Sequence, residues 1–412
     1  MTEKYDIGII GGGPAGYTAA LHAKEKGLSV AMFEKDKVGG VCMNRGCIPT
    51  KTIMHSAEIY EEMKSCEVVG VYAENVCVDF EKVIERKEQT IEKLRKGLEL
   101  TLKNAKVITI NAEAKLIDKN TIEADNKIFK CDKVIVATGS KPRSLTGMEF
   151  DNKFILSSDD VLSMKKLPES ILIAGSGAIG IEWARIFAAF DVDVSIIETA
   201  DKLLPIADIE VSKRLDRIFK AKKIKTYLAN SIEKIENGKV TLSNGEELHP
   251  ECVLIAVGRV PNKTEKIKGV TYLGDVYGDI QLAHYAVKQA IENICGIKFD
   301  KTLVPSIVYG NPEIAWVGAR EQDLEPGTYK KANLLISVLG KSHCDNCIDG
   351  FVKILSKDDK IIGAHIVSKE ASALIHQILI AMQNNVGVEK LKEVCFAHPT
   401  YSEGIFECLF RF

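Results

Sequence analysis

The chain has 412 residues with a formal net charge of −2; 27% of them are charged and eleven are cysteines. The length predicts two or three domains with ample buried core, the even charge balance carries no nucleic-acid footprint, and no apolar run is long enough to span a bilayer. Eleven cysteines scattered through so long a chain do not form a disulfide scaffold and suit a reducing cytoplasm in which most thiols stay free.

The first strand-like run, residues 5–10, begins almost at once, so no cationic leader with an apolar core is expected. It runs into Gly11-Gly12-Gly13-Pro14-Ala15-Gly16, a helical stretch to Lys26, and a second strand-like run over 28–33 that ends in Glu34. Next comes Gly39-Gly40-Val41-Cys42-Met43-Asn44-Arg45-Gly46-Cys47-Ile48-Pro49-Thr50-Lys51. On a regular helix, residues five apart stand roughly 8–9 Å apart at Cα. A disulfide needs less than about 7 Å. For the cysteines to pair, the segment must be bent or only partly helical, and Gly46 and Pro49 supply the means. A strained, accessible disulfide is the reducible kind. From the residues alone, Cys42 and Cys47 are either such a redox pair beside a bound cofactor or two unrelated thiols.

Residues 57–102 read as largely helical, with Glu and Lys on a solvated face, and 106–122 alternate like strands. Residues 134–136 form a short apolar strand ending in Ala137-Thr138-Gly139-Ser140, a turn suited to closing on a nucleotide. The opening pattern then recurs 164 residues on. A strand over 171–174 leads into Gly175-Ser176-Gly177-Ala178-Ile179-Gly180, a helix to Phe190, and a strand over 192–197 that ends in Glu198. In both copies the acid stands 21 residues after the second glycine. The first glycine permits the tight turn, the second admits the pyrophosphate, and the third lets helix and strand pack closely. The helix N-terminus offers free N–H groups to the phosphates, and the acid can accept from a ribose diol. Two complete units imply two dinucleotides. Residues 253–257 followed by Gly258-Arg259-Val260-Pro261-Asn262 repeat the earlier nucleotide-closing turn. Leu273-Gly274-Asp275, a helix over 281–294, strands from about Thr302 and an amphipathic helix over 371–384 complete the chain. No low-complexity linker divides these parts, so close domain contact is expected.

The order of these motifs resembles the pyridine nucleotide–disulfide oxidoreductases over nearly the whole chain. The residues that carry the likeness are 42–51, Gly274-Asp275 with Leu282-Ala283-His284, and the tail His398-Pro399-Thr400-Tyr401-Ser402-Glu403. The resemblance implies an α/β fold with two Rossmann-like dinucleotide-binding domains, for FAD and for NAD, and a C-terminal α+β dimerisation domain. Residues 1–145 and 271–300 would bind FAD, 146–270 would bind NAD, and 301–412 would form the interface of a homodimer with sites built from both subunits. The implied activity is oxidation of dihydrolipoyl groups on a separate carrier protein or domain. Electrons would pass through a Cys42–Cys47 disulfide and FAD to NAD. The alternatives are an NAD(P)H-dependent reductase of another disulfide, and a flavin-bearing scaffold without lipoyl turnover.

The likeness also implies roles. Cys47 is similar to the thiol nearest the flavin, which forms a charge-transfer thiolate, and Cys42 to the interchange thiol that attacks the substrate disulfide. Lys51 and Glu182 resemble the ion pair near the flavin N5. His398 resembles the base that takes the dithiol proton, oriented by Glu403. Such a histidine shuttles protons near neutral pH, and thiolate rather than thiol performs exchange. For FAD the implied residues are Gly11, Gly13, Gly16, Glu34, Gly40, Lys51, Ala114, Thr138, Gly139, Asp275, Leu282, Ala283 and His284. For NAD they are Gly175, Gly177, Gly180, Glu198, Ile232 and Gly258. Glu198 favours a 2′-hydroxyl over a 2′-phosphate, hence NAD. No metal is expected. The chain departs from the family pattern at Val41, at Phe396, in the twelve-residue stretch between Asn262 and Asp275, and in Cys344-Asp345-Asn346-Cys347, which reads as two reduced thiols.

Overall fold

The computed structural model describes residues 3–262 and 264–412. Residues 1 and 2, which head the first expected domain, and residue 263, in the short stretch before Asp275, lie outside the described residues.

The first unit runs β1 (Glu3–Ile10), α1 (Pro14–Glu25), β2 (Val30–Glu34), α2 (Gly40–Arg45), α3 (Cys47–Lys64), α4 (Phe80–Asn104), β3 (Ile108–Asn111), β4 (Ala114–Asp118), β5 (Thr121–Ala124), β6 (Lys127–Val136) and β7 (Ser140–Pro142). Its sheet has the order β3-β2-β1-β6-β5-β4, parallel from β3 to β6 and antiparallel beyond. The central strands are apolar on both faces, as helix-covered parallel strands require: Ile9 and Val30 to Phe33 are fully enclosed. α1 presents Ala15, Ala19, Ala20 and Ala23 to the sheet, and these small side chains let the helix lie close. The short strand expected over 134–136 is the end of ten-residue β6. Phe129 and Cys131 alternate inward between the exposed Ile128, Lys130 and Asp132, which disguises its first half.

The second unit repeats the design: β8 (Ile155–Leu156), α5 (Ser158–Val161), β9 (Ser170–Ala174), α6 (Ala178–Ala189), β10 (Asp193–Glu198), α7 (Ile209–Ala221), β11 (Lys225–Leu228), β12 (Ile232–Glu236), β13 (Lys239–Leu242), β14 (Glu247–Leu248), β15 (Cys252–Ile255) and β16 (Arg259–Pro261). The parallel order is β11-β10-β9-β15-β8, with β12-β13-β14 as a separate antiparallel meander. β7 and β16, the strands that leave the two nucleotide-closing turns, pair antiparallel with each other. The chain then returns: β17 (Thr271–Tyr272) joins β6 of the first sheet, and α8 (Ala283–Cys295) packs on α1.

The last part comprises β18 (Ser306–Val308), β19 (Glu313–Gly318), β20 (Lys330–Leu335), α9 (Gly340–Cys344), β21 (Phe351–Lys357), β22 (Lys360–Ser368), α10 (Ala371–Gln383), α11 (Val388–Leu391) and α12 (Glu403–Leu409). Its antiparallel sheet is ordered β18-β19-β22-β21-β20. One apolar core runs from Ile53 and Met54 of α3 through Trp183 and Phe187 of α6 to Val308, Ile314 and Val367 of this sheet. A buried ionic lock adds to it. The enclosed Lys353 ammonium donates to Asp208 at 2.7 Å and to Glu321 at 2.5 Å, while Asp208 also caps α7 through the Glu210 N–H. Among the described residues no helix is long and apolar enough to cross a membrane.

Candidate active site

The two glycine-rich turns open into one cavity of about 1740 Å³. Each turn is locally dictated. Gly11 has φ 107°, and a Cβ there would lie 2.3 Å from the Ala137 carbonyl oxygen. Gly175 has φ 101°, and a Cβ would lie 2.6 Å from that of Ala256. Gly16 and Gly180 do not line the cavity. They sit behind it, where a Cβ would come within 1.8 Å of the Gly11 oxygen and 1.9 Å of the Gly175 oxygen, so only glycine brings helix and strand this close.

Neither α1 nor α6 has a side-chain cap, so their first N–H groups remain available at the cavity. The same holds for α8, whose N-terminal residues Leu282, Ala283 and His284 line it. The His284 Nε2 is tied to the Pro305 carbonyl at 2.9 Å. The buried Thr138 hydroxyl, also on the wall, has no protein partner. Uncapped helix ends, an orphaned hydroxyl and glycine cradles are what two dinucleotides would fill, and the residues present fit them.

The acids close each turn in the same way. Glu34 accepts from the Gly12 N–H at 2.7 Å and the Asp36 N–H at 2.9 Å. Glu198 accepts from the Ser176 N–H at 2.9 Å, the Ser176 hydroxyl at 2.8 Å and the Ala200 N–H at 2.9 Å. Burial alone would raise the Glu198 carboxyl; these hydrogen bonds outweigh it and hold the group below the usual carboxylate range. A carboxylate has about four acceptor positions, so each acid keeps capacity for a ribose diol. Ala114, Gly139, Ile232 and Gly258 also line the cavity. Asp275 accepts from the Ser140 hydroxyl at 2.5 Å, and that hydroxyl accepts from Arg259 Nε at 2.9 Å.

Between the two turns lies the cysteine segment. α2 ends at Gly46, whose φ of −151° and ψ of −110° break the helix, and α3 restarts at Cys47. Pro49 sits in the first turn of α3, where its missing N–H costs nothing. Both cysteines are half-buried free thiols on the cavity wall. The hydrogen bond between them, then burial and the charge on Cys47, push the Cys42 thiol well up. The bond from Cys42 and the Lys51 ammonium, acting against burial, bring Cys47 down to about 7. Of the two, Cys47 is the thiol whose ionisation its surroundings favour. One helical turn on, Lys51 Nζ donates to both oxygens of Glu182, at 2.8 and 2.7 Å, so α6 of the second unit is tied to the redox helix.

His398 and Glu403 lie elsewhere, His398 on the loop before α12 and Glu403 at the start of that helix. The ring Nδ1 meets Glu403 at 2.8 Å, and Glu403 accepts from the Thr400 N–H at 2.8 Å. Those two bonds hold the Glu403 carboxyl down. The His398 side chain is 75% exposed and is not part of its own chain's cavity. Its Nε2 has no hydrogen-bond partner among the described residues. Sequence reasoning missed Ser140 and Arg259 as a relay to Asp275. It also missed Tyr17 and Tyr309 beside the cysteines and gave Arg45 no role. Arg45 bridges Asp36 at 2.7 Å and Asp159 at 3.5 Å, across the two units. Ser140 and Arg259, inside the two nucleotide-closing turns, Arg45, inside the cysteine motif, and Ser176, inside its glycine motif, had a positional signal; Tyr17 and Tyr309 had none. Cys344 is exposed and Cys347 half-buried, with left-handed Asn346 between them. Among the described residues no group of three or more His, Cys, Asp or Glu clusters as a metal site would.

Two Rossmann-like units around a common dithiol, joined to an antiparallel C-terminal sheet, define a dinucleotide-dependent disulfide oxidoreductase. Residues 5–272 match the pyridine nucleotide-disulphide oxidoreductase family and residues 304–408 its dimerisation domain, and the chain belongs to that family. The chain is 33% identical to a dihydrolipoyl dehydrogenase of Bacillus subtilis, over 99% of this chain and 98% of that one. It is also 33% identical to a dihydrolipoyl dehydrogenase of Mycoplasma pneumoniae, with 97% of each covered. The crystal structure of LpdA from Mycobacterium tuberculosis shares the fold, with a TM-score of 0.91 at 24% identity, covering 100% of this chain and 99% of that one.

Proposed function

We propose that the chain is an NAD-dependent dihydrolipoyl dehydrogenase that binds FAD in the first unit and NAD in the second. The observation that carries this reading is that one cavity holds both dinucleotide cradles and, between them, the cysteine pair Cys42 and Cys47, with the Lys51 ammonium acting on Cys47. Residues 1–145 and 271–300 form the FAD-binding domain, 146–270 the NAD-binding domain and 301–412 the dimer interface. FAD would be held by the Gly11–Gly13 turn, Glu34 and Asp275 and, when bound, would supply a two-electron carrier between the cysteines and NAD.

The chain's own residues do the rest. His398 takes a proton from a dihydrolipoyl thiol through the free Nε2, while Glu403 fixes its ring. The resulting thiolate attacks Cys42 of a Cys42–Cys47 disulfide, releasing Cys47 as thiolate. The second substrate sulfur then displaces Cys42 as its thiol. Substrate leaves as the cyclic disulfide, and the electron pair and one proton remain on the cysteines. Lys51, held by Glu182, faces the negative charge left on Cys47. Glu198 accepts from the NAD ribose.

Because His398 is exposed and outside its own cavity, it serves the cysteines of a second copy, as the dimerisation domain supports. The lipoyl group belongs to a carrier protein or domain. The scattered cysteines support a cytoplasmic location.

Steady-state assay of the FAD-loaded protein tests the reading. Turnover is expected with dihydrolipoamide and NAD and not with NADPH and glutathione disulfide; the opposite pattern overturns it. His398→Gln should lower the first activity by roughly 10²–10⁴-fold, as loss of a general base does.

A further inference from the structure

Lys51 has a third neighbour besides the two oxygens of Glu182: its ammonium lies over the ring of Tyr309, 4.7 Å from the centroid. Tyr309 comes from the loop between β18 and β19 in the last domain, and it lines the cavity. Two side chains on successive turns of α6 hold this loop. Glu182 accepts from the Tyr309 N–H at 3.1 Å. Arg185, enclosed by the protein, donates through Nη1 to the Pro312 carbonyl at 2.7 Å and reaches that of Tyr309 at 3.4 Å. The loop is shaped for the guanidinium. Gly310 has φ 136°, and a Cβ there would stand 2.5 Å from Arg185 Nη1. The ring position is thus fixed through the backbone on both sides of it, not by the phenol oxygen.

We propose that Tyr309 is a positioning residue for the redox centre: Arg185 and Glu182 pin the 309–312 loop, and the face of the Tyr309 ring holds the Lys51 ammonium on the side of Cys47. A cation over an aromatic face is attracted by the ring quadrupole, most strongly where water is thinned. Lys51 carries two constraints, the carboxylate and the ring, and only together do they fix where its charge points. The inference rests on the reading that Cys47 is the thiolate of the pair, and it deepens that reading. The charged and titratable groups that face Cys47 are Cys42 from α2, Lys51 from its own helix, Glu182 from α6, Arg259 from β16, and the phenols of Tyr17 and Tyr309. Of the two cations, Lys51 stands one turn away on the same helix.

The test is the pH profile of Cys47 alkylation by iodoacetamide in the reduced, FAD-free and FAD-loaded protein, followed by peptide mass spectrometry. Wild type should show a midpoint below that of an ordinary thiol, at about 7. Tyr309→Leu should slow Cys47 modification at neutral pH about two- to fivefold and move the midpoint upward, the size expected for losing one cation–π contact. Tyr309→Phe keeps the ring face and should match wild type. Gly310→Ala, which pushes against Arg185, should move the midpoint in the same direction as Tyr309→Leu. A shift shared equally by Tyr309→Leu and Tyr309→Phe overturns the proposal in favour of the hydroxyl. No shift in Tyr309→Leu overturns it outright; if that variant does not fold, an unshifted Gly310→Ala does so. These outcomes are independent of lipoyl turnover: a protein that fails with dihydrolipoamide but shows the ring-dependent profile contradicts the proposed substrate and not the role of Tyr309.

Discussion

The two dinucleotide units share a β-α-β core with the same glycine fingerprint and closing acid, yet their phosphate turns meet different surroundings. In the first, the redox helix lies on the turn: a Cβ on Gly40 would stand 2.7 Å from the Gly13 Cα, and the Gly39 N–H donates to the Gly12 carbonyl at 2.8 Å. In the second, a Cβ on Gly177 would meet no protein atom within 4 Å. One fingerprint therefore serves two purposes. Where the redox helix packs directly on the second glycine of the turn, the bound dinucleotide is expected to be retained. In the second unit the chain also returns over the turn, the Leu204 N–H donating to the Ser176 carbonyl at 3.2 Å, but it leaves Gly177 uncovered, and the dinucleotide there is expected to exchange more readily. The glycines suit phosphate binding, and what separates the turns is whether the returning chain covers the second glycine, as it does at Gly13 and does not at Gly177.

The largest effects should come from the third glycines, where the units are alike. Gly16→Val and Gly180→Val each drive a side chain into a carbonyl oxygen less than 2 Å away. Gly16→Val should give protein that fails to retain FAD through gel filtration. Gly180→Val should stay yellow while losing NAD reduction. Equal loss of flavin in both would mean that the units fold as one and that they hold their ligands in no separate way.

Gly40 and Gly177 separate the units more finely. Gly40→Ala meets backbone and occupies φ 60°, a strain of roughly 1–2 kcal/mol for a residue with a Cβ. It should weaken FAD retention by about tenfold, measured by equilibrium dialysis of the flavin. Gly177→Ala has room in the protein, so its melting temperature should match wild type while KM for NAD rises. Reversal of the two phenotypes contradicts the covered and open reading.

The smallest effect concerns the acids. A 2′-phosphate would face the Glu198 carboxylate, and leaving such a polar group mismatched costs roughly 1–3 kcal/mol. NAD should be preferred over NADP by about one to two decades in kcat/KM, at about 1.4 kcal/mol per tenfold. Glu198→Gln keeps the shape and drops the charge, and it should narrow the preference by about tenfold. Because hydrogen bonds hold the Glu198 carboxyl below the usual range, it stays ionised and the preference should not fade as pH falls from 8 to 5. A preference that disappears by pH 5 would indicate that another group sets it.

Much of this arrangement was legible because it is local. Glycines that need a left-handed backbone, an acid at a strand end and a helix broken at Gly46 each announce themselves within a few residues. The meander β12-β13-β14, which brings Ile232 to the cavity, was silent because its strands are short and carry charge on exposed positions. Lys353 reads as an ordinary strand lysine, yet it is enclosed, because its partners Asp208 and Glu321 come from distant segments. Tyr309 and Arg185 escaped for the same reason: nothing within either segment reports that they converge on Lys51. His398 had meaning in the sequence only through its motif, since its exposed ring and remote place in the chain give no sign of the cysteines it would serve.

If the Cys42–Cys47 pair stores an electron pair taken from a dithiol and delivers it, through the retained cofactor, to the exchangeable one, an anaerobic single turnover should show it. FAD-loaded protein is reduced with dihydrolipoamide in the absence of NAD, freed of excess dithiol, and then mixed with NAD. Wild type should yield NADH in an amount equal to the chains present, and Cys42→Ser should yield none. An absence of NADH from wild type, or the same yield from Cys42→Ser, would contradict storage on the pair.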